Sequence, residues 1–156
     1  MATSTPPISA AIQNLAINGG TPVSDTAVPF MKPQLHREDI DAAIAVLESG
    51  MLRAAGRCAD LEKNLALASD ATHGMACCNG TAALQLAYGA LFSPGDEILC
   101  PAWTFIATVT MIVAAGCTPV FVDCLEDTFQ MDPADAARKI TPKTRGIATT
   151  HLYGCP

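Results

Sequence analysis

The sequence has few charged residues, few aromatic residues and no long apolar run. Charged residues make up 15% of the 156 residues and aromatic residues 5%, whereas hydrophobic residues make up 50%. So apolar a composition argues against a disordered chain. A net charge of −6 with nine scattered basic residues argues against a nucleic-acid partner. The longest apolar run, 106–115, is shorter than the about 20 residues that span a bilayer, so no membrane partner is expected.

Signals for secretion and for metal binding are also missing. Residues 1–14 are polar and contain prolines, without the basic start and apolar core of a signal peptide, which predicts a flexible leader and a cytoplasmic location. The seven cysteines form no C-x-x-C pair, so neither a zinc site nor a thioredoxin-like motif is predicted. Most cysteines lie in or beside apolar runs, where we expect reduced, buried thiols.

Apolar segments of strand and helix length alternate along the rest of the chain. A helical stripe begins at Arg37 and ends near Gly50, and a second helix surrounds Leu61 and Leu65. Four strands and three later helices are then predicted, in the order 75–78, 81–92, 97–100, 105–115, 119–123, 133–140 and 145–151. Such alternation indicates an α/β fold with a largely parallel sheet flanked by helices. Ligands of such sheets bind at the carboxyl ends of the strands.

The turn Asn79-Gly80-Thr81-Ala82 lies between the first predicted strand and its helix. Backbone N–H groups at a helix start, the positive end of the helix dipole and the Thr81 hydroxyl suit a phosphate group. An ordinary turn in which Thr81 caps the helix explains the same residues. The glycine spacing of a Walker loop or of a dinucleotide fingerprint is missing.

Aromatic and acidic residues follow the later strands. Trp103 and Phe105 could stack on a flat ligand, or could fill the core between helix and sheet. Asp123 and His151 stand at strand ends, where either could contact a ligand, although a turn carboxylate and a backbone-bonded histidine are commoner. Asp132, followed by proline, is predicted to cap the next helix.

Taken together, six ordered blocks resemble the N-terminal part of the DegT/DnrJ/EryC1/StrS aminotransferases. The resemblance begins near Leu15 and extends to the last residue. The blocks are Asn-Gly-Thr-Ala-Ala-Leu, Pro-Gly-Asp-Glu-Ile, Pro-Ala-Trp-Thr-Phe-Ile-Ala-Thr, Gly-Cys-Thr-Pro-Val-Phe-Val-Asp, Ile-Thr-Pro-Lys-Thr-Arg-Gly-Ile and His-Leu-Tyr-Gly.

The resemblance implies a partial large domain of fold type I, over residues 15–156, that binds pyridoxal 5′-phosphate (PLP). By the family pattern, Thr81 and Ala82 hold the cofactor phosphate in the turn that contains Gly80, and Phe105 stacks on the pyridine ring. Trp103 receives no cofactor role. The family also implies a homodimer that moves an amino group from a small donor, such as glutamate, to a keto-sugar nucleotide.

The family's catalytic residues do not match any residue of this chain. Its Schiff-base lysine and the acidic residue beside the pyridine nitrogen lie farther downstream, and none of Lys32, Lys63, Lys139 and Lys143 fits the lysine motif. We therefore expect a truncated, inactive and aggregation-prone N-terminal piece of an aminotransferase. Two alternatives stay open. The chain could be a non-catalytic α/β module for ligand binding or dimerisation, or part of a PLP- or PMP-dependent sugar dehydratase, in which histidine replaces the lysine.

Overall fold

The computed structural model describes residues 12, 14–53 and 55–155. It divides into two compact units, Met1–Arg53 and Ala54–Pro156. The leader predicted over residues 1–14 lies almost entirely outside the described residues.

Among the described residues of the first unit lie a short 3-10 helix, Ala16–Asn18, and an α-helix of 13 residues, α1, at Arg37–Ser49. The α1 helix confirms the prediction from the apolar stripe. At its start the Asp39 carboxylate accepts a hydrogen bond of 2.8 Å from the His36 backbone N–H, which satisfies a donor that precedes the helix. At its end Gly50 adopts a left-handed φ of 67°, the usual conformation of a glycine that terminates a helix.

The second unit alternates helices and strands as predicted. Its elements, in chain order, are α2 (Gly56–Ala68), α3 (Gly80–Leu91), β1 (Glu97–Pro101), α4 (Ile106–Ala114), β2 (Thr118–Val122), α5 (Pro133–Lys139), β3 (Thr144–Ile147) and a 3-10 turn (Leu152–Gly154). The strands form a parallel sheet in the order β2-β1-β3. The predicted α/β class with a parallel sheet flanked by helices is therefore confirmed.

The central strand β1 is buried on both faces, which explains why its sequence is apolar without alternation. On one face Ile98 and Cys100 pack against Tyr88 of α3 and Ile112 of α4. On the other face a smaller cluster joins the sheet to α5, and its buried members are Leu99, Val122 and Ala136. The sheet thus has two helices on one side and one on the other.

Of the four predicted strands, one is not a strand and another is shorter than predicted. Met75–Cys78 is not a strand, because a strand needs a hydrogen-bonded neighbour and the described residues provide none; the Ala76 N–H donates to the Glu62 carboxylate over 2.9 Å instead. The strand predicted over 145–151 is only Thr144–Ile147. After it, Ala148 still donates to Leu99, but the chain then turns at Leu152.

Candidate functional site

The loops that follow the carboxyl ends of the strands are joined by side-chain contacts. The Thr104 hydroxyl, after β1, lies 2.8 Å from the Thr150 hydroxyl, after β3, and 2.9 Å from the Thr108 hydroxyl in α4. Thr108 is buried, with 9% of its surface exposed. These hydroxyls fix the β1–α4 loop to the segment beyond β3.

The loop after β2 is attached to the same edge. Phe129 packs against Trp103 with ring centroids 5.9 Å apart, and the Gln130 side-chain amide donates to the Leu152 carbonyl over 3.3 Å. Phe129 has a left-handed φ of 59°, which is unusual for a residue with a side chain. All three strand-end loops therefore meet at one edge of the sheet.

The start of α3 presents unused hydrogen-bond donors. The Asn79 side chain accepts from the Ala82 N–H over 2.9 Å, and the Asn79 carbonyl accepts from the Ala83 N–H over 3.1 Å. Among the described residues no protein acceptor receives the N–H of Gly80, the N–H of Thr81 or the Thr81 hydroxyl. Three donors at the positive end of a helix suit a phosphate group.

Asn79, rather than Thr81, is the helix cap. The ordinary alternative for this turn, in which Thr81 caps the helix, is wrong, because Thr81 is the second residue of α3 and its hydroxyl accepts no helix N–H. Of the residues predicted to hold phosphate, Ala82 alone already donates its amide to the protein. The donors that have no protein acceptor belong to Gly80 and Thr81.

Gly80 borders open space. A Cβ atom built on Gly80 would meet nothing within 4 Å apart from its chain neighbours and the backbone of its own helix, and the φ of Gly80 is outside the left-handed region. Neither packing nor backbone conformation in the protein therefore requires glycine here. A glycine is what close approach of a ligand to the backbone would require.

The start of α3 lies toward the carboxyl ends of the strands. At the other end of α3, the Phe92 ring covers Gly146, which pairs with Ile98 near the beginning of β1. Because the 12 residues of α3 span about 18 Å, Gly80 lies at the opposite end of the sheet. Phe105, which follows β1, belongs to that same edge.

The predicted aromatic residues are exposed, so the alternative that they fill the core is wrong. The Phe105 side chain is 71% exposed and precedes the first residue of α4. Trp103 is 58% exposed and is accounted for by its contact with Phe129. An exposed aromatic ring at the same edge of the sheet as free N–H and hydroxyl donors fits a cofactor that has a phosphate and a flat ring, such as PLP.

The acidic residues have structural partners. Asp132 caps α5 by accepting from the Ala134 N–H over 2.8 Å, as predicted. Asp123 accepts from the Cys124 N–H over 2.8 Å, as a turn carboxylate does. His151 is exposed and begins the final 3-10 turn.

Sequence reasoning missed the buried carboxylate of Asp135. It accepts from the Asp123 N–H over 2.8 Å and pairs with Lys139 at 2.7 Å and Arg138 at 3.0 Å. The Asp123 hydrogen bond, followed by the Lys139 contact, lowers the pKa of Asp135 to about 2. An acidic residue followed by basic residues three and four positions later in a helix is the sequence signal that could have revealed this pair.

The cysteines that were predicted to be buried differ in exposure. Cys100 and Cys117 are buried, as expected, and burial raises the pKa of both thiols, whereas Cys124 is half-buried. Cys77 and Cys78 are exposed, so the same expectation was wrong for them, because their segment is not a strand within the sheet.

The part of the chain that the structure describes contains neither a metal-binding cluster nor a membrane-spanning helix. No group of three or more histidine, cysteine, aspartate or glutamate side chains is placed to hold a metal ion. Over the same residues no helix is long and apolar enough to cross a membrane.

Comparison with known proteins identifies the family. The DegT/DnrJ/EryC1/StrS aminotransferase family matches residues 33–156. A curated relative, the UDP-N-acetyl-3-dehydro-alpha-D-glucosamine 3-aminotransferase of Acidithiobacillus ferrooxidans, is 38% identical over 138 residues, which cover 85% of this chain and 37% of the relative. The chain thus spans little more than a third of that relative's length.

Solved structures agree. Spr1654 of Streptococcus pneumoniae, named as a sugar aminotransferase and solved in its PLP form, has 34% identity and a TM-score of 0.78, with 83% of this chain and 33% of that one covered. DesV of S. venezuelae, solved with a ketimine intermediate, has 40% identity and a TM-score of 0.69, with 77% and 33% covered. The chain therefore belongs to the DegT/DnrJ/EryC1/StrS aminotransferase family and shares the α/β fold of its PLP-dependent sugar aminotransferases.

Proposed function

We propose that this chain forms the phosphate- and ring-binding part of the PLP site of a sugar-nucleotide aminotransferase. The observation that carries the proposal is the start of α3, where two backbone N–H groups and the Thr81 hydroxyl have no protein acceptor beside the open space at Gly80. Identity of 34–38% to proteins named as sugar aminotransferases supports this substrate class over the dehydratase alternative.

Different residues of the chain would bind the phosphate and the ring of the cofactor. Gly80 and Thr81 donate to the phosphate, whose charge the α3 dipole stabilises. The Phe105 ring lies against the face of the pyridine ring and excludes water from it. Ala82 joins the phosphate donors only if Asn79 releases its amide. When bound, PLP supplies an electron sink for the carbon that loses or gains the amino group.

The lysine that this chemistry needs is expected outside these residues. Lys139 donates to the Phe121 carbonyl over 2.8 Å and pairs with Asp135, so its ammonium is already engaged. Lys143 precedes β3, and its carbonyl accepts from the Glu97 N–H at the amino end of β1, away from the site. Alone, the 156 residues would then bind cofactor without transferring an amino group. We also propose that the whole protein forms a homodimer and that it is located in the cytoplasm.

The experiment is a PLP titration of the protein expressed from its full open reading frame. Cofactor binding is measured by absorbance and fluorescence, and amino transfer from glutamate to keto-sugar nucleotides by product analysis. Thr81→Val and Phe105→Ala are each expected to weaken PLP binding about tenfold or more, because each removes a direct contact. Thr110→Val on α4 is the control. PLP affinity equal to that of wild type in both variants would contradict the proposal.

A further inference from the structure

We propose that Thr104 is a positioning residue that holds the Phe105 ring against the cofactor. The inference rests on the proposed function, since Phe105 needs a fixed position only if it stacks on a bound ring. It concerns the hydroxyl chain of Thr108, Thr104 and Thr150.

The Phe105 side chain is not restrained by packing in the core. The residue is 71% exposed, so its ring is not held by burial there. The position of the ring therefore depends on the backbone on either side of it. A mobile ring would have to be immobilised when the cofactor binds, and that ordering weakens affinity.

Thr104 and Thr108 close a loop around Phe105. The Thr108 N–H donates to the Phe105 carbonyl over 3.0 Å, and the Thr108 hydroxyl lies 2.9 Å from that of Thr104. The residue before Phe105 and the residue three positions after it are thus joined directly. Phe105 is held between a side-chain and a backbone hydrogen bond.

Thr150 anchors this loop to the segment that follows β3. Its hydroxyl lies 2.8 Å from that of Thr104, across 46 residues of chain. A hydroxyl has one hydrogen and two lone pairs, so Thr104 can donate to at most one of these neighbours and accepts from at least one. Removing this one hydroxyl breaks both contacts, whereas removing that of Thr150 breaks only the anchor.

Four variants of the protein expressed from its full open reading frame test the inference. Thr104→Val keeps the shape of the side chain and removes the hydroxyl, and Thr104→Ser restores it. Thr150→Val breaks the anchor alone. Thr110→Val is the matched control, because that hydroxyl donates only to the Ile106 carbonyl within α4. The readouts are PLP affinity by titration and the circular dichroism of bound PLP, which reports how the ring is held.

We expect Thr104→Val to weaken PLP binding about fivefold to tenfold and to reduce the dichroism of the bound cofactor at saturation. Thr104→Ser should recover both, Thr150→Val should show a smaller loss, and Thr110→Val none. Reduced dichroism at saturating PLP distinguishes positioning from a general loss of stability.

Affinity and dichroism within twofold of wild type in Thr104→Val, with Phe105→Ala impaired, would overturn this inference and leave the proposed function intact. If Phe105→Ala binds PLP like wild type, the inference fails, and if Thr81→Val does so as well, the proposed function itself fails. If Thr104→Val does not fold, Thr150→Val decides: unchanged dichroism overturns the inference and reduced dichroism supports it.

Discussion

The Asp135 carboxylate accepts a hydrogen bond of 2.8 Å from the backbone N–H of Asp123, and this bond ties α5 to the end of β2. Lys139, four residues after Asp135, pairs with the same carboxylate and also donates to the Phe121 carbonyl of β2. One face of the sheet is therefore fastened to its helix by charged groups as well as by the apolar cluster. The first prediction follows from these contacts of the Asp135 carboxylate.

Asp135→Asn should destabilise the protein at pH 7 and should make its free energy of unfolding depend less on pH in the acid range. The pKa of Asp135 is lowered to about 2, so its stabilisation is complete above its usual pKa of 3.8 and is lost as the pH falls toward 2. Urea unfolding should show a gap between wild type and variant that shrinks over this range. Asp127→Asn, at an exposed loop residue, is the control. A gap that stays constant down to pH 2.5 would contradict the assignment.

Gly80→Ala should weaken PLP binding at least tenfold without destabilising the fold. The new methyl group enters open space, and alanine in a helix is favoured over glycine by roughly 0.5–1 kcal/mol. Gly89→Ala, at an exposed position in the last turn of the same helix, should give the stability gain alone. Thermal unfolding and PLP titration of both variants separate the two effects. Equal PLP affinity in the two would show that Gly80 does not border the cofactor.

Asn79→Asp should preserve the stability of α3 and weaken PLP binding. Aspartate caps helices as well as asparagine does, so the hydrogen bond to the Ala82 N–H is kept. A carboxylate beside the cofactor phosphate repels it, and we expect an affinity loss of about tenfold or more. Asn79→Ala should instead cost about 1 kcal/mol of folding stability. If Asn79→Asp binds PLP like wild type, the phosphate lies elsewhere.

Gly146→Ala should destabilise the second unit by about 1–3 kcal/mol, because overpacking strains a well-filled core. The added Cβ would lie 2.5 Å from the end of the Phe92 ring. Phe92→Leu in the same chain should recover part of the loss, since the two residues are in contact. Chemical denaturation of the two single variants and the double variant measures this coupling. Additive losses would place the strain somewhere other than at Phe92.

The elements with local signals were the ones predictable from sequence. The α1 helix has an apolar stripe and a terminal glycine, and α5 has Asp132 and Pro133 at its start; both were found near their true ends. Met75–Cys78 has the composition of a strand but lacks a neighbour, and strand formation is decided by pairing rather than by composition.

The candidate site was predictable only in part, for a similar reason. Gly80, Thr81, Ala82 and Phe105 could be named because they stand in short blocks that resemble a family. The hydroxyl contact of Thr104 with Thr150 joins distant parts of the chain, and threonines at that separation leave no pattern in a single sequence. Exposure of the Phe105 ring likewise became visible only in three dimensions.

The separation of 46 positions between Thr104 and Thr150 also sets the order in which the protein can assemble. A ribosome adds about 5–20 residues per second, so Thr150 is made roughly 2–9 s after Thr104. Local structure such as α4 forms in microseconds. The helix can therefore form on the nascent chain seconds before Thr150 exists to anchor the loop at its start, so the edge of the sheet that carries Phe105 is among the last parts of these residues to become fixed.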